Sequence, residues 1–371
     1  MHFVLLVFIA LSYVYEDTDS LIVDNDSLTI CGRHQYNVLV DIRNNGILYV
    51  RPWSMAADSF GVLELIAPRI MVHTASIIGS TRGPFGGYLN AHPWGYGTGG
   101  GGAGGVSGGA GGGGAYGGNG GMGGDLYGGT GGTIYGNFSD TLIEPGSGGG
   151  AGRLSAVDGI GGNGGAMISL YGVCVIIDTA QIKVSGERGF DGSLEAGGGG
   201  SGGGIRISAD SVTIRYSGLR ADGNAGGDGS FGGGGGGAGG RIKIFYVQQL
   251  DTIGNWLSAY GGYAGTGSYG NPQPGEAGTV HFEQIVGMEE ISDASVSCIR
   301  VLPNPARTRL SIVTEYTMGI CDIYDVTGAK ILSVDLLQRT ACIDVDDLPN
   351  GVYLLKSRNH GTLHRTFIVL H

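Results

Sequence analysis

GGIRISADSVTIRYSGLRADGNAGGDGSFGGGGGGAGG, residues 203–240, is the stretch that decides how this chain folds. Ile205 and Ile207 alternate with Arg206 and Ser208, Val212 and Ile214 alternate with Thr213 and Arg215, and a shorter piece carries Leu219 and Ala221. Alternation with period two puts one set of side chains on one face, which predicts half-buried strands and not helix. The unit therefore predicts three short strands followed by a glycine loop.

The unit recurs. Its opening apolar pairs are Ile168/Leu170, Ile205/Ile207, Ile242/Ile244 and Val280/Phe282, so the first members are spaced by 37, 37 and 38 residues. A further copy begins at Gly61, with Leu63/Leu65, Ile70/Val72 and Ile77 at matching spacings. One unit cannot bury its own apolar face, so a fixed period predicts stacked repeats. Three short strands per turn point to a parallel β-helix in which Ile168, Ile205 and Ile242 form an interior ladder and the glycine loops leave at one corner. Leu28/Ile30, Val38/Val40/Ile42 and Leu48/Val50, with the turn Asn44-Asn45-Gly46, read as the first turn and cap.

Composition limits the function classes. Glycine supplies 79 of 371 residues without the every-third-residue register of collagen, and the formal charge is −11. A nucleic-acid partner is not expected at that charge. Between residues 95 and 132 glycine fills 24 of 38 positions. With so little to bury and so much entropy to lose, this segment is expected to be a mobile loop; extended polyproline-like strands lying against the coil are the alternative.

The expected organisation is a signal peptide at 1–15, a glycine-rich repeat domain at 20–283 with a glycine-rich insertion at 95–150, a linker at 284–300 and a separate domain at 301–371. The apolar run Phe3 to Leu11 is too short to span a bilayer and reads as a secretory signal, with a buried N-terminal strand as the alternative. No other stretch is long and apolar enough to cross a membrane, so no transmembrane segment is expected in the mature chain.

From Val301 the glycine runs stop and β-rich segments alternate with turns at Thr327-Gly328 and Pro349-Asn350-Gly351, a pattern for a small antiparallel β-sandwich. Pro303-Asn304-Pro305, the run Ile323-Tyr324-Asp325-Val326-Thr327-Gly328, and Ile343-Asp344-Val345 leading to Leu348-Pro349-Asn350-Gly351-Val352-Tyr353 resemble the C-terminal sorting domain (type A) of type IX secretion substrates. The resemblance implies an Ig-like sandwich and passage of the outer membrane of a two-membrane bacterium on the type IX machinery. It also implies cleavage there and anchoring to surface lipopolysaccharide. Its motif residues here are Pro303, Asn304, Pro305, Tyr324, Asp325, Gly328, Leu348, Pro349, Gly351 and Tyr353. The glycine-rich strand repeat is similar in pattern to surface and adhesin-like β-helix proteins.

Motifs for chemistry are sparse. Residues 120–127, GGMGGDLY, have the form of a calcium-binding nonapeptide, but one copy does not build that site and the glycine content explains the match. Ser201 within Gly199–Gly203 matches a nucleophile-elbow pattern without the strand, helix or partners that motif requires. Asp178, Glu187, Asp191, Asp210, Asp222 and Asp228 lie in the repeats, and Asp191 and Asp228, 37 apart, should stack on one loop face. Convergence of these two with an Arg or Lys would favour a polysaccharide-active enzyme; solvated loop acids are the ordinary expectation. The eight histidines show no metal-ligand spacing. Of the five cysteines, Cys321 and Cys342 could pair if their strands are neighbours, and Cys174 reads as a small buried residue.

The sequence thus predicts an all-β protein, a glycine-rich right-handed parallel β-helix followed by a small antiparallel sandwich. Its expected role is structural or adhesive at the outer-membrane surface, with no catalytic, cofactor or metal residues. The expected partners are the type IX machinery, lipopolysaccharide as anchor and glycans as ligand. A polysaccharide lyase or glycoside hydrolase is the alternative, and a disordered glycine-rich matrix component a third reading.

Overall fold

The computed structural model describes residues 13–55, 60–88, 92–105, 108–152, 159–285, 299–302, 306, 308–314, 319–325, 328–336, 340–358 and 364–369. Every regular element among them is a strand. The chain forms two compact units, residues 1–289 and 290–371. Most of the signal-peptide segment and of the linker lies outside the described residues; Tyr13–Glu16 form a strand antiparallel to Ser20–Asp24.

In the first unit the central repeats each give one strand to a large sheet and one to a smaller sheet. The large sheet runs parallel through Ser20–Asp24, Leu39–Arg43, Arg69–His73, Met167–Asp178, Gly204–Arg215, Arg241–Ile253 and Thr279–Gln284. The smaller one runs parallel through Ser27–Ile30, Ile47–Val50, Ser76–Ile78, Gln181–Lys183, Gly218–Arg220 and Trp256–Ser258. Leu63, Ile168, Ile205, Ile242 and Val280 are aligned across successive strands, the ladder that the 37-residue period predicts. Inward residues of both sheets, among them Ile70, Ile77, Val175, Ile182, Val212 and Leu219, form one buried cluster. Each such side chain contributes about 1.5–3 kcal/mol by leaving water.

Two expectations need correction. The first two strands of a central repeat are one continuous strand, Gly204–Arg215, with a register shift at Ala209/Ser211. In the earlier copy Val62–Ile66 and Arg69–His73 do separate, because Pro68 between them has no N–H for the ladder and offers only its carbonyl, to Val173 and Cys174.

The glycine segments also depart from the mobile loop. Along 197–203 the N–H groups point in turn to three different neighbours. Gly197, Gly200 and Gly203 donate to the carbonyls of Phe190, Glu187 and Val184; Gly198 and Ser201 donate to Gly150 and Ser147; Gly199 and Gly202 donate to Gly235 and Ala238. The carbonyls of the same segment and of Ala196 just before it accept from three more: Gly111 and Gly114, Asn224 and Gly227, and Gly162 and Gly165. A bonding direction that repeats every third residue, with no positive φ in the segment, is the geometry of a polyproline-II-type helix. Six neighbours surround this one. The inserted residues 108–132 belong to the same bundle, through Gly121 N–H to Gly236 O and Gly124 N–H to Gly233 O. A Cβ on Gly198 would sit well inside contact distance of the Gly112 carbonyl oxygen, so close backbone approach requires glycine there. The entropy of ordering these residues is offset by hydrogen bonds that saturate buried backbone.

The second unit has a three-stranded antiparallel sheet, Ile299–Leu302, Arg309–Thr314 and Thr340–Asp344, and a four-stranded one ordered Lys330–Leu336, Gly319–Asp325, Gly351–Ser357, His364–Val369. Leu310, Ile312, Ile323, Val345, Leu355 and Phe367 share its core. Cys321 is buried and Cys342 exposed on strands of different sheets, and the two are not bonded.

Candidate functional site

In the second unit the motif residues assemble around two turns. Asp325 and Tyr353 face each other across paired strands. The Asp325 carbonyl accepts the Gly328 N–H at 3.0 Å, its Oδ1 accepts the Ala329 N–H at 2.9 Å, and Gly328 adopts φ +82°, a left-handed conformation that favours glycine. Across from it, Leu348 is buried and the Pro349 carbonyl accepts the Tyr353 hydroxyl at 2.7 Å. The Tyr353 ring stacks on Phe367, with centroids 5.5 Å apart, and burial raises its pKa. Gly351 opens the strand that carries Tyr353, and Tyr324 is half-buried beside it in register with Leu354. Pro303, Asn304 and Pro305 lie outside the described residues. Asp322, which the sequence reading passed over, is buried and bonded to Arg358, Lys330 and Ser333; these hold its carboxyl well below the usual carboxylate range.

In the first unit Asp191 and Asp228 do stack, and a basic residue joins them. Arg188 Nη2 is 2.7 Å from both Asp191 Oδ1 and Asp228 Oδ2. Asp191 Oδ1 also accepts the Asp228 N–H, and Asp228 Oδ1 accepts the N–H and hydroxyl of Thr266. The hydrogen bond from Arg188 is the main reason the Asp191 pKa is lowered. Arg188 thus clamps two successive loops together through Asp191 and Asp228.

The remaining acids disperse. Asp222 accepts from Ser258 and the Tyr260 N–H, Asp178 from Thr179, and Glu187 from the Asn163 N–H, while burial raises Asp210. Ser201 is buried in the glycine bundle and its hydroxyl donates to the Ala115 carbonyl at 3.0 Å, a strut and not a nucleophile.

Two features escaped the sequence reading. Lys243 is fully buried on the outer face of its strand beneath residues 137–142. Glu195, buried at the end of a glycine loop, has a pKa pushed up to about 7, first by burial and then by the charge of Asp125. Asp125 stood out only as part of the nonapeptide-like run. Nothing in the spacing connects it with a residue 70 positions later.

Residues 300–370 match the family model described as secretion system C-terminal sorting domain. Comparison with curated proteins and with solved structures gave no match. The family match covers only the second unit and supports export by type IX secretion to the cell surface or outer-membrane region of a Bacteroidetes-type bacterium. Residues 300–370 therefore carry a type IX sorting domain.

Proposed function

We propose that this protein is a non-catalytic, surface-displayed structural or adhesive protein. In this reading the first unit is a right-handed parallel β-helix and the second an Ig-like sandwich whose paired turns at Asp325 and Tyr353 carry the sorting signal. The observation that carries the reading is the sorting-domain match at 300–370. A cargo of parallel ladders with a saturated glycine bundle suits display, because it holds a fixed surface outward. The last repeat supports an adhesive role. Trp256, Tyr260, Tyr263 and Tyr269 are exposed there, where the strand partner of Trp256 in the preceding repeat is Gly218. Exposed rings with polar tips suit glycans as ligand, and lipopolysaccharide is the anchor the sorting-domain resemblance implies.

A polysaccharide-active enzyme is the second reading, favoured by the convergence of Arg188, Asp191 and Asp228. Their mutual neutralisation weighs against it.

Surface-protease shaving of cells expressing the full chain, or a chain truncated after Arg300, tests the proposal. Surface exposure lost on truncation supports it. Unchanged exposure overturns the sorting role. Depolymerisation of a polysaccharide that is abolished by Asp228→Asn would establish the enzyme instead.

A further inference from the structure

The glycine bundle ends in tight turns, and one of them holds a carboxylate without a partner. Glu195 is 1 % exposed, and neither of its carboxyl oxygens has a hydrogen-bond partner. Its backbone is fixed by a parallel bridge to Gly232 in the next repeat. Glu195 Oε2 crowds the point where a Cβ on Gly232 would stand, and the Gly124 carbonyl oxygen is 3.1 Å from that same point. A carboxylate and a carbonyl thus converge in space that only a glycine at 232 leaves open. Asp125, next in the chain after Gly124 and held at φ +77°, brings a second carboxyl against the first. Its Oδ1 accepts the Leu126 N–H at 2.5 Å.

Two adjacent carboxyls in a buried place either share a proton or need a positive charge to remain ionised. We propose that Glu195 and Asp125, with the Gly124 carbonyl oxygen, form a binding site for a divalent cation, Ca²⁺ by ligand type. All of the converging atoms are oxygens, which selects a hard cation. Ca²⁺ accepts irregular sets of carboxylate, carbonyl and water oxygens, whereas Mg²⁺ demands near-ideal octahedral geometry. No group of three His, Cys, Asp or Glu side chains able to hold a metal occurs among the described residues, so backbone and water oxygens complete the shell. The ion ties the turn at 124–126 to those at 192–195 and 229–232. The raised pKa of Glu195 is consistent with a carboxyl lacking its counter-charge.

The test uses the full chain, freed of metal with EDTA, at a pH just above neutral. Calorimetric titration with CaCl₂ and thermal unfolding with and without Ca²⁺ are compared for the wild type, Glu195→Gln and Asp125→Asn, with MgCl₂ as control. The expected result is one saturable Ca²⁺ site and a Tm raised by several degrees in the wild type, both lost in each variant. Glu195→Gln should unfold in EDTA no earlier than the wild type, which separates loss of a ligand from loss of the fold. No Ca²⁺ response in the wild type overturns the proposal, as does a response that both variants keep. Stabilisation by acid alone, with none by Ca²⁺, also overturns it and assigns a shared proton to the pair.

Discussion

Lys243 Nζ lies 2.7 Å from Asp140 Oδ1, and no part of the Lys243 side chain reaches solvent. The carbonyl oxygens of Asn137, Asp140 and Leu142 stand at 2.6–2.9 Å from the same nitrogen. Beside it Arg241 Nη2 donates to the carbonyls of Tyr135 and Gly136. Two cations of one strand thus hold down a segment that comes about a hundred residues earlier. Burial lowers the Lys243 pKa, and the Asp140 carboxylate opposes that shift.

Removing the ammonium leaves those oxygens buried without a donor. Lys243→Met is expected to cost about 3 kcal/mol. Asp140→Asn should cost about 1 kcal/mol or less, because Asp140 is partly exposed and the three carbonyls remain. Urea unfolding of the two variants checks the order; equal losses would mean that the ion pair, and not the carbonyl cage, holds the segment.

Glycine in the bundle is required by close approach. Gly198→Ala drives a methyl into the Gly112 carbonyl and should cost more than about 3 kcal/mol. Gly351→Ala, whose added carbon would have 3.8 Å to its nearest neighbours, should change stability by about 0.5 kcal/mol or less. Hydrogen exchange provides a second check: amides 197–203 should be as protected as those of Gly204–Arg215, whereas a mobile loop would exchange at once.

Asp322 sets an acid limit for the sorting domain. Its folded pKa lies below the unfolded value, so its contribution is present above the ordinary carboxylate range and is lost as pH falls through the folded pKa. Acid titration of the isolated stability transition of this unit should show that loss. Asp322→Asn should be less stable at neutral pH and should flatten the acid limb; an unchanged limb would assign it to other carboxyls.

Glu195 has the opposite sign. Its folded pKa, about 7, lies above the ordinary glutamate value, so in EDTA stability should fall as pH rises toward 7 and level off beyond it. Glu195→Gln should remove this slope in thermal unfolding measured across that range.

The Tyr353 hydroxyl is a structural donor to Pro349. Tyr353→Phe should cost about 1 kcal/mol through the lost hydrogen bond, and Tyr353→Ala about 3–5 kcal/mol through the cavity beside Phe367. Surface shaving of the same variants should show display falling in that order; full display of Tyr353→Ala would separate sorting from the integrity of this turn.

The stacking of repeats was determined by sequence alone. Ile168, Ile205 and Ile242 recur at a fixed step, and a parallel ladder turns a fixed step directly into register. The sorting domain was legible in the resemblance of the segment from Val301 onward, and the family match covers the same span, residues 300–370. The single strand Gly204–Arg215 reads as two in the sequence because the inward positions change parity, from Ile205 and Ile207 to Val212 and Ile214, and one strand absorbs that change in the irregularity at Ala209/Ser211. The glycine bundle was decided only by tertiary structure. A residue without a side chain leaves no hydrophobic period, and Gly198 is held by its hydrogen bond to Gly150 and packs against the Gly112 carbonyl, both far away in the chain. Lys243 and Glu195 follow the same rule: a buried charge takes its character from the oxygens that fold onto it, and those of Asp140 and Asp125 arrive from 103 and 70 residues away.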